Sequence, residues 1–222
     1  MAEGKRSRME DEVPKDFMAG VPEVTVQPSE MREFMDIEID NIWFHVSTNT
    51  KINLHYIDQN TACSSIFLPS GELQVQLHDS KFSVIFNKRG TLHGVAGFVT
   101  EAAAVLAAMK RVMLLKKLGY HVRAHNFRIT NVTARGQVPF RIDIKSLQQD
   151  NKKHLQYFFG ENGEEQLKLT TFIPSVHTTV IITHHGKLSF FSPNVEKLLQ
   201  ASKFIYPRLH PYAVLLPKPS QL

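Results

Sequence analysis

Histidine and cysteine are the residue types in this chain that could carry catalytic or metal chemistry. The 222 residues include eleven histidines and a single cysteine, Cys63. Their spacing matches no HExxH or CxxC metal motif, and the chain also lacks a glycine-rich phosphate loop and a nucleophile elbow. His184 and His185 stand together in a predicted hairpin loop, where solvated histidines are more common than metal ligands. The sequence therefore favours a binding protein without metal or cofactor, and an enzyme is the main alternative class.

Composition and charge allow a nucleic-acid partner without requiring one. The net charge is +5, but residues 1–35 are acidic, so residues 36–222 hold 21 basic and 13 acidic residues. A basic balance of this size suits contact with phosphates and also occurs in proteins that have no such role. No apolar run is long enough for a membrane span, and one cysteine allows no internal disulfide, so we expect an intracellular protein.

One segment of the chain occurs twice. FRITNVTARGQVPFRIDIKSL at 127–147 repeats IEIDNIWFHVSTNTKINLHYI at 37–57 with an offset of 90 residues and no gap. Beyond this segment the repeat continues at an offset of 96, which predicts a six-residue insertion within 148–165 of the second copy. The pairs at that offset are Leu73/Leu169, Leu77/Ile173, Val84/Val180, Ile85/Ile181, Phe86/Ile182, Gly90/Gly186, Leu92/Leu188 and Val99/Val195.

Apolar periodicity predicts the same order of elements in both copies: a strand, a short helix, about four antiparallel strands and a long helix. Thr100 and Asn194 are predicted to cap the long helices, Gly119 to end the first and Pro207 to end the second. The predicted strands are at 37–44, 72–78, 81–87, 91–96, 167–173, 178–183 and 187–191, and the short helix of the first copy is at 51–59.

Two such halves can share one sheet. We predict an α+β fold with two-fold pseudo-symmetry, a saddle of about ten antiparallel strands with two long helices on its convex face. The predicted domains are a disordered tail at 1–35, a core at 36–212 with repeats at 37–120 and 127–212, and a C-terminal tail at 213–222. The concave face is left uncovered, so we expect the function there.

Several motifs of the second copy resemble the TATA-box-binding protein family, and in particular its divergent TBP-related factors. The motifs are FRITNVTARGQVPFRIDIKSL at 127–147, KKLGYHVRAHNF at 116–127, HHGKLSFFSPNVEKLL at 184–199 and FIYPRL at 204–209. The resemblance covers about residues 36–210. It implies a nuclear transcription factor whose concave face binds double-stranded promoter DNA in the minor groove.

The resemblance also implies which residues face the DNA. The paired asparagines of the family correspond to Asn41 and Asn131, whose amides could donate to acceptors in an A·T minor groove; the alternative is a polar strand residue facing solvent. Trp43 and Phe191 fall where the family has smaller residues, and they are either substitute groove contacts or structural aromatics. The other implied contact positions are Thr133, Ile85, Ile181, Val95 and Lys187.

The family's wedging phenylalanines are missing. Their positions align with Ser70 and Asn87 in the first copy and with Gln166 and Thr183 in the second. Two phosphate-binding arginines of the family likewise align with Gln76 and Phe172. A wedge takes the place of base stacking at a kinked step, and opening that step costs about a few kcal/mol. We therefore expect weak DNA binding with reduced TATA selectivity.

The family also implies protein partners, transcription factors IIA and IIB or their equivalents, at the two ends of the saddle. In this chain those ends are the loop before Leu73 and the acidic stretch with Glu161, Glu164 and Glu165. Acidity in a surface loop can also serve solubility alone. The alternative function is a protein-interaction platform that kept the fold and no longer binds DNA directly.

Overall fold

The computed structural model describes residues 35–76, 82–151, 155–159, 165–170 and 177–214. None of the helices in these stretches is both long and apolar enough to cross a membrane. The strands are β1 Asp36–Ser47, β2 Ser64–Phe67, β3 Leu73–Gln76, β4 Ser83–Phe86, β5 Thr91–Ala96, β6 His125–Gln137, β7 Arg141–Ile142, β8 Leu155–Phe159, β9 Glu165–Thr170, β10 Thr179–Thr183, β11 Lys187–Ser192 and β12 Ala213–Val214. The helices are α1 Leu54–Asn60, α2 Glu101–Lys117, α3 Ile144–Asp150 and α4 Val195–Leu209, and a 3-10 turn, His210–Tyr212, follows α4.

Ten strands form one curved antiparallel sheet in the order β2-β3-β4-β5-β1-β6-β11-β10-β9-β8. The two long strands β1 and β6 pair at the centre, and each half of the chain extends outward from its own central strand. Ile42 of β1 lies opposite Val132 of β6, and the pairs on either side of it exchange under the 90-residue offset. A local dyad therefore passes through this pair, and the predicted saddle architecture is confirmed.

One face of the sheet is covered and the other is not. Ile42, Phe44, Val132 and Ala134 are almost fully buried and belong to one core cluster with the buried side chains of α2 and α4. Alternation along a strand sends the intervening residues to the opposite side. We call the first side the helix-covered face, and the second, which carries Asn41, Trp43, Asn131, Thr133 and Phe191, the open face.

The structure changes the offset of the repeat in two places. Leu73 lies opposite Phe86, while Leu167 lies opposite Ile182, so Leu73 is equivalent to Leu167 and not to Leu169. The caps of the long helices, Thr100 and Asn194, are 94 residues apart, so the predicted pairing of Val99 with Val195 is also wrong. The offset is thus 90 at β1, 94 at β3, 96 at β4 and β5, and 94 at α2.

The predicted insertion in the second copy contains a strand. Strand β8, Leu155–Phe159, pairs with β9 as β2 pairs with β3. Four of the six extra residues lengthen the β8–β9 hairpin. The other two lie between β9 and β10, a connection of which the structure describes one end.

Capping predictions for the long helices are confirmed. The side chain of Thr100 accepts from the Ala103 N–H at 3.1 Å, and that of Asn194 accepts from the Lys197 N–H at 2.8 Å. Gly119 has φ 87° and follows α2, as predicted. Pro207, in contrast, lies inside α4, which runs on to Leu209. A proline this close to the end of a helix removes one backbone hydrogen bond, and two more residues can still be helical after it.

Both terminal tails are shorter than predicted, as judged from the described residues. Met35 is 3% exposed and joins the core, although it falls in the predicted N-terminal tail. Ala213 and Val214 form β12, which pairs with β7, although they fall in the predicted C-terminal tail. Residues 1–34 and 215–222 lie outside the described residues.

Candidate nucleic-acid interface

Two dyad-related rows of side chains cross the centre of the open face. Trp43 of β1 lies opposite Asn131 of β6 in one row, and Asn41 lies opposite Thr133 in the other. Phe191 of β11 extends the second row, since it lies opposite Thr133. The repeat places Val95 of β5 at the matching end of the first row. The central residues named in the sequence analysis therefore lie together on one surface.

A bulky aromatic side chain stands in each half of this surface. Trp43 is 43% exposed and Phe191 is 41% exposed. They are not equivalent residues: the repeat pairs Trp43 with Thr133 and Val95 with Phe191, so the large and small members are exchanged between neighbouring strands. Large apolar rings that remain exposed on a sheet face are typical of a surface that meets a partner.

The helix-covered face shows the same exchange. Phe44 lies opposite Gly94 in the first half, and Ala134 lies opposite Phe190 in the second. A Cβ on Gly94 would come within 2.0 Å of the Phe44 ring, so the glycine is required by the neighbouring aromatic. At these paired positions both faces thus keep one ring in each half, while the strand that carries the ring changes.

The two asparagines differ in their hydrogen bonds. Asn41 Nδ2 donates to the Val95 carbonyl at 2.8 Å, and Asn41 Oδ1 accepts from the Phe98 N–H at 3.2 Å. The side chain of Asn131 makes no hydrogen bond to another residue in the described stretches. One amide therefore holds the end of β5 in place, whereas the other is available to a ligand.

A difference in loop length causes this asymmetry. Three residues separate β5 from the Thr100 cap, and one separates β11 from the Asn194 cap. The longer connection in the first half includes Gly97, with φ 92°, and Phe98, which is buried against Phe44 with ring centroids 5.2 Å apart. Phe98 brings its N–H to Asn41, and the shorter connection has no counterpart.

The remaining predicted contact residues flank the central rows. Ile85 of β4 and Ile181 of β10 are half-buried and alternate with fully buried neighbours, which places both on the open face. Val95 and Thr133 are also half-buried, and Lys187 is exposed at the start of β11.

Polar contacts hold three of the residues at the predicted wedge positions: Ser70, Asn87 and Thr183. Asn87 Nδ2 donates to Glu72 at 3.0 Å, and Ser70 Oγ donates to the other carboxylate oxygen of Glu72 at 3.1 Å. In the second half the Thr183 hydroxyl donates to the Lys187 carbonyl and accepts from its N–H, both at 3.2 Å.

Gln166 lies opposite Thr183. The strand register makes Glu72, not Ser70, the equivalent of Gln166, so the aligned pair Ser70/Gln166 is corrected.

Two rows of charged and polar residues on the open face were not predicted from the sequence. His93, His45 and Arg128 form a row across β5, β1 and β6 in the first half. The rings of His45 and His93 are 4.9 Å apart, and the pKa of His45 is lowered by burial and then by His93 and Arg128. Alternation along β1 from Asn41, and along β5 from Val95, was the signal that could have found His45 and His93. It misses Arg128, because the pairing of β1 with β6 shifts between Trp43 and Phe44.

The dyad-related row has a different charge. Its members are Ser189, Arg135 and Glu38, in the same order across β11, β6 and β1. Arg135 forms ion pairs with Asp40 at 2.5 Å and with Glu38 at 3.6 Å. The first row is therefore cationic, whereas the arginine of the second row is neutralised.

Two further predictions concern the periphery. Glu161 and Glu164 lie outside the described residues, and the backbone of Glu165 begins β9 opposite Phe159. The rings of His184 and His185 are 3.7 Å apart, and within the described stretches no group of three His, Cys, Asp or Glu is arranged to hold a metal ion.

Comparison with known proteins gives both sequence and structural matches, although no protein-family model matches the chain. TATA box-binding protein-like 1 of Danio rerio is 25% identical over 176 residues, 79% of this chain and 91% of that protein. The TATA-box-binding protein of Tetrahymena thermophila is 29% identical over 122 residues, which cover 54% of this chain and 49% of that protein. The match therefore spans about half the length of that relative.

A solved structure shares the fold. Methanococcus jannaschii TBP superposes with a TM-score of 0.66 at 18% identity, covering 79% of this chain and 99% of that one. Its coverage includes both halves of the saddle, in agreement with the ten-stranded sheet described above.

Proposed function

We propose that this chain, a divergent TBP-related member of the TATA-box-binding protein family, is a nuclear transcription factor that binds promoter DNA weakly through its open face. The observation that carries the proposal is the pair of exposed rings, Trp43 and Phe191, beside the asparagine rows at the dyad. The DNA lies with its minor groove against the central strands. Its affinity depends on these rings because the four aligned wedge positions are polar.

Three side chains of the open face contact the groove in this proposal: Asn131, Trp43 and Phe191. The Asn131 amide donates a hydrogen bond to adenine N3 or thymine O2, the minor-groove acceptors that A·T and T·A pairs share. Trp43 and Phe191 make apolar contact with the groove walls. Selectivity for TATA sequences is low because Asn87 and Thr183, which are held by neighbouring polar groups, cannot insert between base steps.

Titration of labelled duplexes, followed by fluorescence anisotropy, tests the proposal. We expect binding in the micromolar range at about 0.05 M salt, weakening steeply by about 0.2 M because phosphate contacts release counterions. Trp43→Ala and Phe191→Ala are each expected to reduce affinity about tenfold, which corresponds to about 1.4 kcal/mol. Leu106→Ala is the matched control, because Leu106 is 45% exposed on α2, on the other side of the sheet.

The outcome can contradict either part of the proposal. Tight binding with strong preference for a TATA duplex would show that selectivity survives without the wedges. Equal losses for Trp43→Ala and Leu106→Ala would show that DNA does not contact the open face. Circular dichroism of each variant establishes that the fold is retained.

A second candidate function is a protein-interaction platform without direct DNA contact. Two observations favour it: Arg135 is neutralised by Glu38 and Asp40 on the open face, and Glu72 lies beside Asn87 at the outer hairpin. Acidic groups on this surface oppose the approach of phosphates. Absence of any salt-dependent binding to nonspecific duplex would select this function over the first.

For partners we propose transcription factors IIA and IIB or their equivalents at the two ends of the saddle. Glu161, Glu164 and Glu165 supply negative charge at the β8–β9 end, where we expect factor IIB. Reversing the charge at Glu164 and Glu165 is expected to weaken capture of purified factor IIB, and Glu196→Lys on α4 is the control. Capture that is unaffected by the double reversal would remove this assignment.

A further inference from the structure

A cavity of about 560 Å³ opens where α2 ends, away from the two central rows of the open face. It lies between the end of β1, the last turn of α2 and the connection from α2 to β6. The residues that matter for its chemistry are Thr48, Thr50, Lys116, His121, Arg123 and His125. Its volume is in the range of cavities that bind small molecules.

The second half of the chain shows why the cavity exists. The residue equivalent to Thr50 is Phe140, whose ring packs against His210 and Tyr206 with centroids 5.8 and 6.3 Å away. His210 is in turn the equivalent of Lys116 at the end of the other long helix. In the first half the small Thr50 donates to the His121 carbonyl at 3.0 Å and fills no comparable space. The same position is therefore a packed aromatic cluster in one half and a cavity in the other.

The lining of the cavity is cationic. Lys116 and Arg123 contribute two positive charges, His121 and His125 contribute two imidazole rings, and none of the described residues that line the cavity carries a carboxylate. Neither cation forms an ion pair with a residue in the described stretches, where the ion pairs involve Arg135. Cations that line a cavity without an acidic partner attract an anion, and guanidinium and ammonium groups together suit phosphate oxygens.

We propose that this cavity binds a phosphate-bearing anion of small-molecule size, held by Lys116 and Arg123. The phosphate belongs to a free ligand. The other source of the same chemistry is the backbone of DNA that leaves the open face near His125, the first residue of β6, and the experiment distinguishes the two. The proposal is independent of DNA binding, since it rests on a cavity that the central rows do not line.

Isothermal titration calorimetry of the full chain with pyrophosphate tests the site. We expect saturable binding with a dissociation constant below about 1 mM. Thr50→Phe, which copies the second half, is expected to abolish binding by filling the cavity, and the double variant Lys116→Gln with Arg123→Gln is expected to weaken it at least tenfold. Lys117→Gln is the control, because Lys117 neighbours Lys116 on α2 and does not line the cavity.

Three results would overturn the proposal. These are no saturable binding by the unmodified chain, an equal loss for Lys117→Gln, or unchanged binding in the double variant. The double variant also keeps the test decisive if Thr50→Phe fails to fold. If the phosphate belongs to a free ligand, pyrophosphate is expected to bind equally well to the chain alone and to the chain saturated with duplex DNA. Competition between pyrophosphate and duplex would instead show that the cavity receives a DNA phosphate, and would overturn the free-ligand assignment.

Discussion

Arg111 is the residue whose environment is least expected from its chemistry. It lies on the inner side of α2, is 2% exposed, and its Nε and Nη2 atoms have no hydrogen-bond partner among the residues that the structure describes. Burial lowers the pKa of Arg111, and the charge and hydrogen bonding of Cys63 partly oppose that effect. The equivalent residue of α4 is Ile205, which is 1% exposed. The second half thus shows that an apolar side chain fits the same place.

Replacing Arg111 by methionine is expected to leave the free energy of unfolding unchanged or to raise it by about 1 to 2 kcal/mol. The reason is that unpaired buried N–H groups lose their hydration without recovering hydrogen bonds, and an apolar chain of similar length avoids that cost. Urea denaturation followed by circular dichroism measures the change. Val112→Ala is the sensitivity control, because truncation of this neighbouring buried residue is expected to destabilise by about 1 kcal/mol or more. Destabilisation of Arg111→Met by the same amount would contradict the prediction.

At the scale of elements, the tight turns at Gly90 and Gly186 join matching parts of each half. Both residues have positive φ, 84° and 80°, and each N–H donates back to the residue at the predicted second wedge position, Asn87 or Thr183. A Cβ would lie 2.1 Å from the Thr50 carbonyl oxygen at Gly90, and 2.4 Å from the Phe140 carbonyl oxygen at Gly186. These turns therefore need glycine for space as well as for conformation.

Gly186→Ala is expected to cost at least about 2 kcal/mol more than Gly71→Ala. Both glycines have similar φ, 80° and 78°, so the left-handed backbone penalty of about 1 to 2 kcal/mol applies to both. A Cβ on Gly71, however, meets no described residue within 4 Å, so the difference measures the clash with the backbone of residue 140. Thermal or urea unfolding of the two variants provides the comparison. Equal costs would mean that the turn relaxes away from Phe140 without loss.

The elements also show which parts of the fold a sequence can predict. Strand β5 and the caps Thr100 and Asn194 were predicted correctly, because they depend on local alternation and on local side-chain bonds. The offset of β3 was missed because a shift of two residues leaves the inward and outward alternation unchanged. Strand β2 lacks that pattern altogether, since Ser64, Ile66 and Phe67 are exposed and Ser65 is half-buried.

The same limit applies to the candidate site. Alternation from the repeated segment is sufficient to place Trp43 and Thr133 on one surface, because both lie on long central strands. The hydrogen bonds of Asn41 could not be predicted in this way, since they depend on the longer connection that carries Phe98. Asn41 and Asn131 are therefore equivalent in the sequence repeat, but the different loop lengths give their side chains different hydrogen bonds.

At the scale of the whole molecule, the backbone is nearly two-fold symmetric and the charge is not. The row of His93, His45 and Arg128 is related by the dyad to the row of Ser189, Arg135 and Glu38. In the second row the ion pairs of Arg135 cancel its charge towards a ligand. Of these two rows, only the first therefore offers a polyanion an arginine without an ion pair to another described residue, and protonation of His45 would add to its positive charge.

This asymmetry predicts opposite effects of acid on stability and on DNA affinity. The pKa of His45 in the folded state is lowered from 6.5, so the unfolded chain binds the proton more readily. The stability that neutral His45 contributes is therefore present above pH 6.5 and is lost as the pH falls through the folded-state pKa. Phosphates near His45 favour its protonated form, so affinity for duplex DNA is expected to rise severalfold between about pH 7.5 and 5.5. His45→Asn is expected to reduce both effects, whereas His185→Asn, in the β10–β11 turn, is expected to preserve them. Anisotropy titrations and melting temperatures across this pH range provide the measurements, and a DNA affinity that does not respond to His45→Asn would place the duplex away from the cationic row.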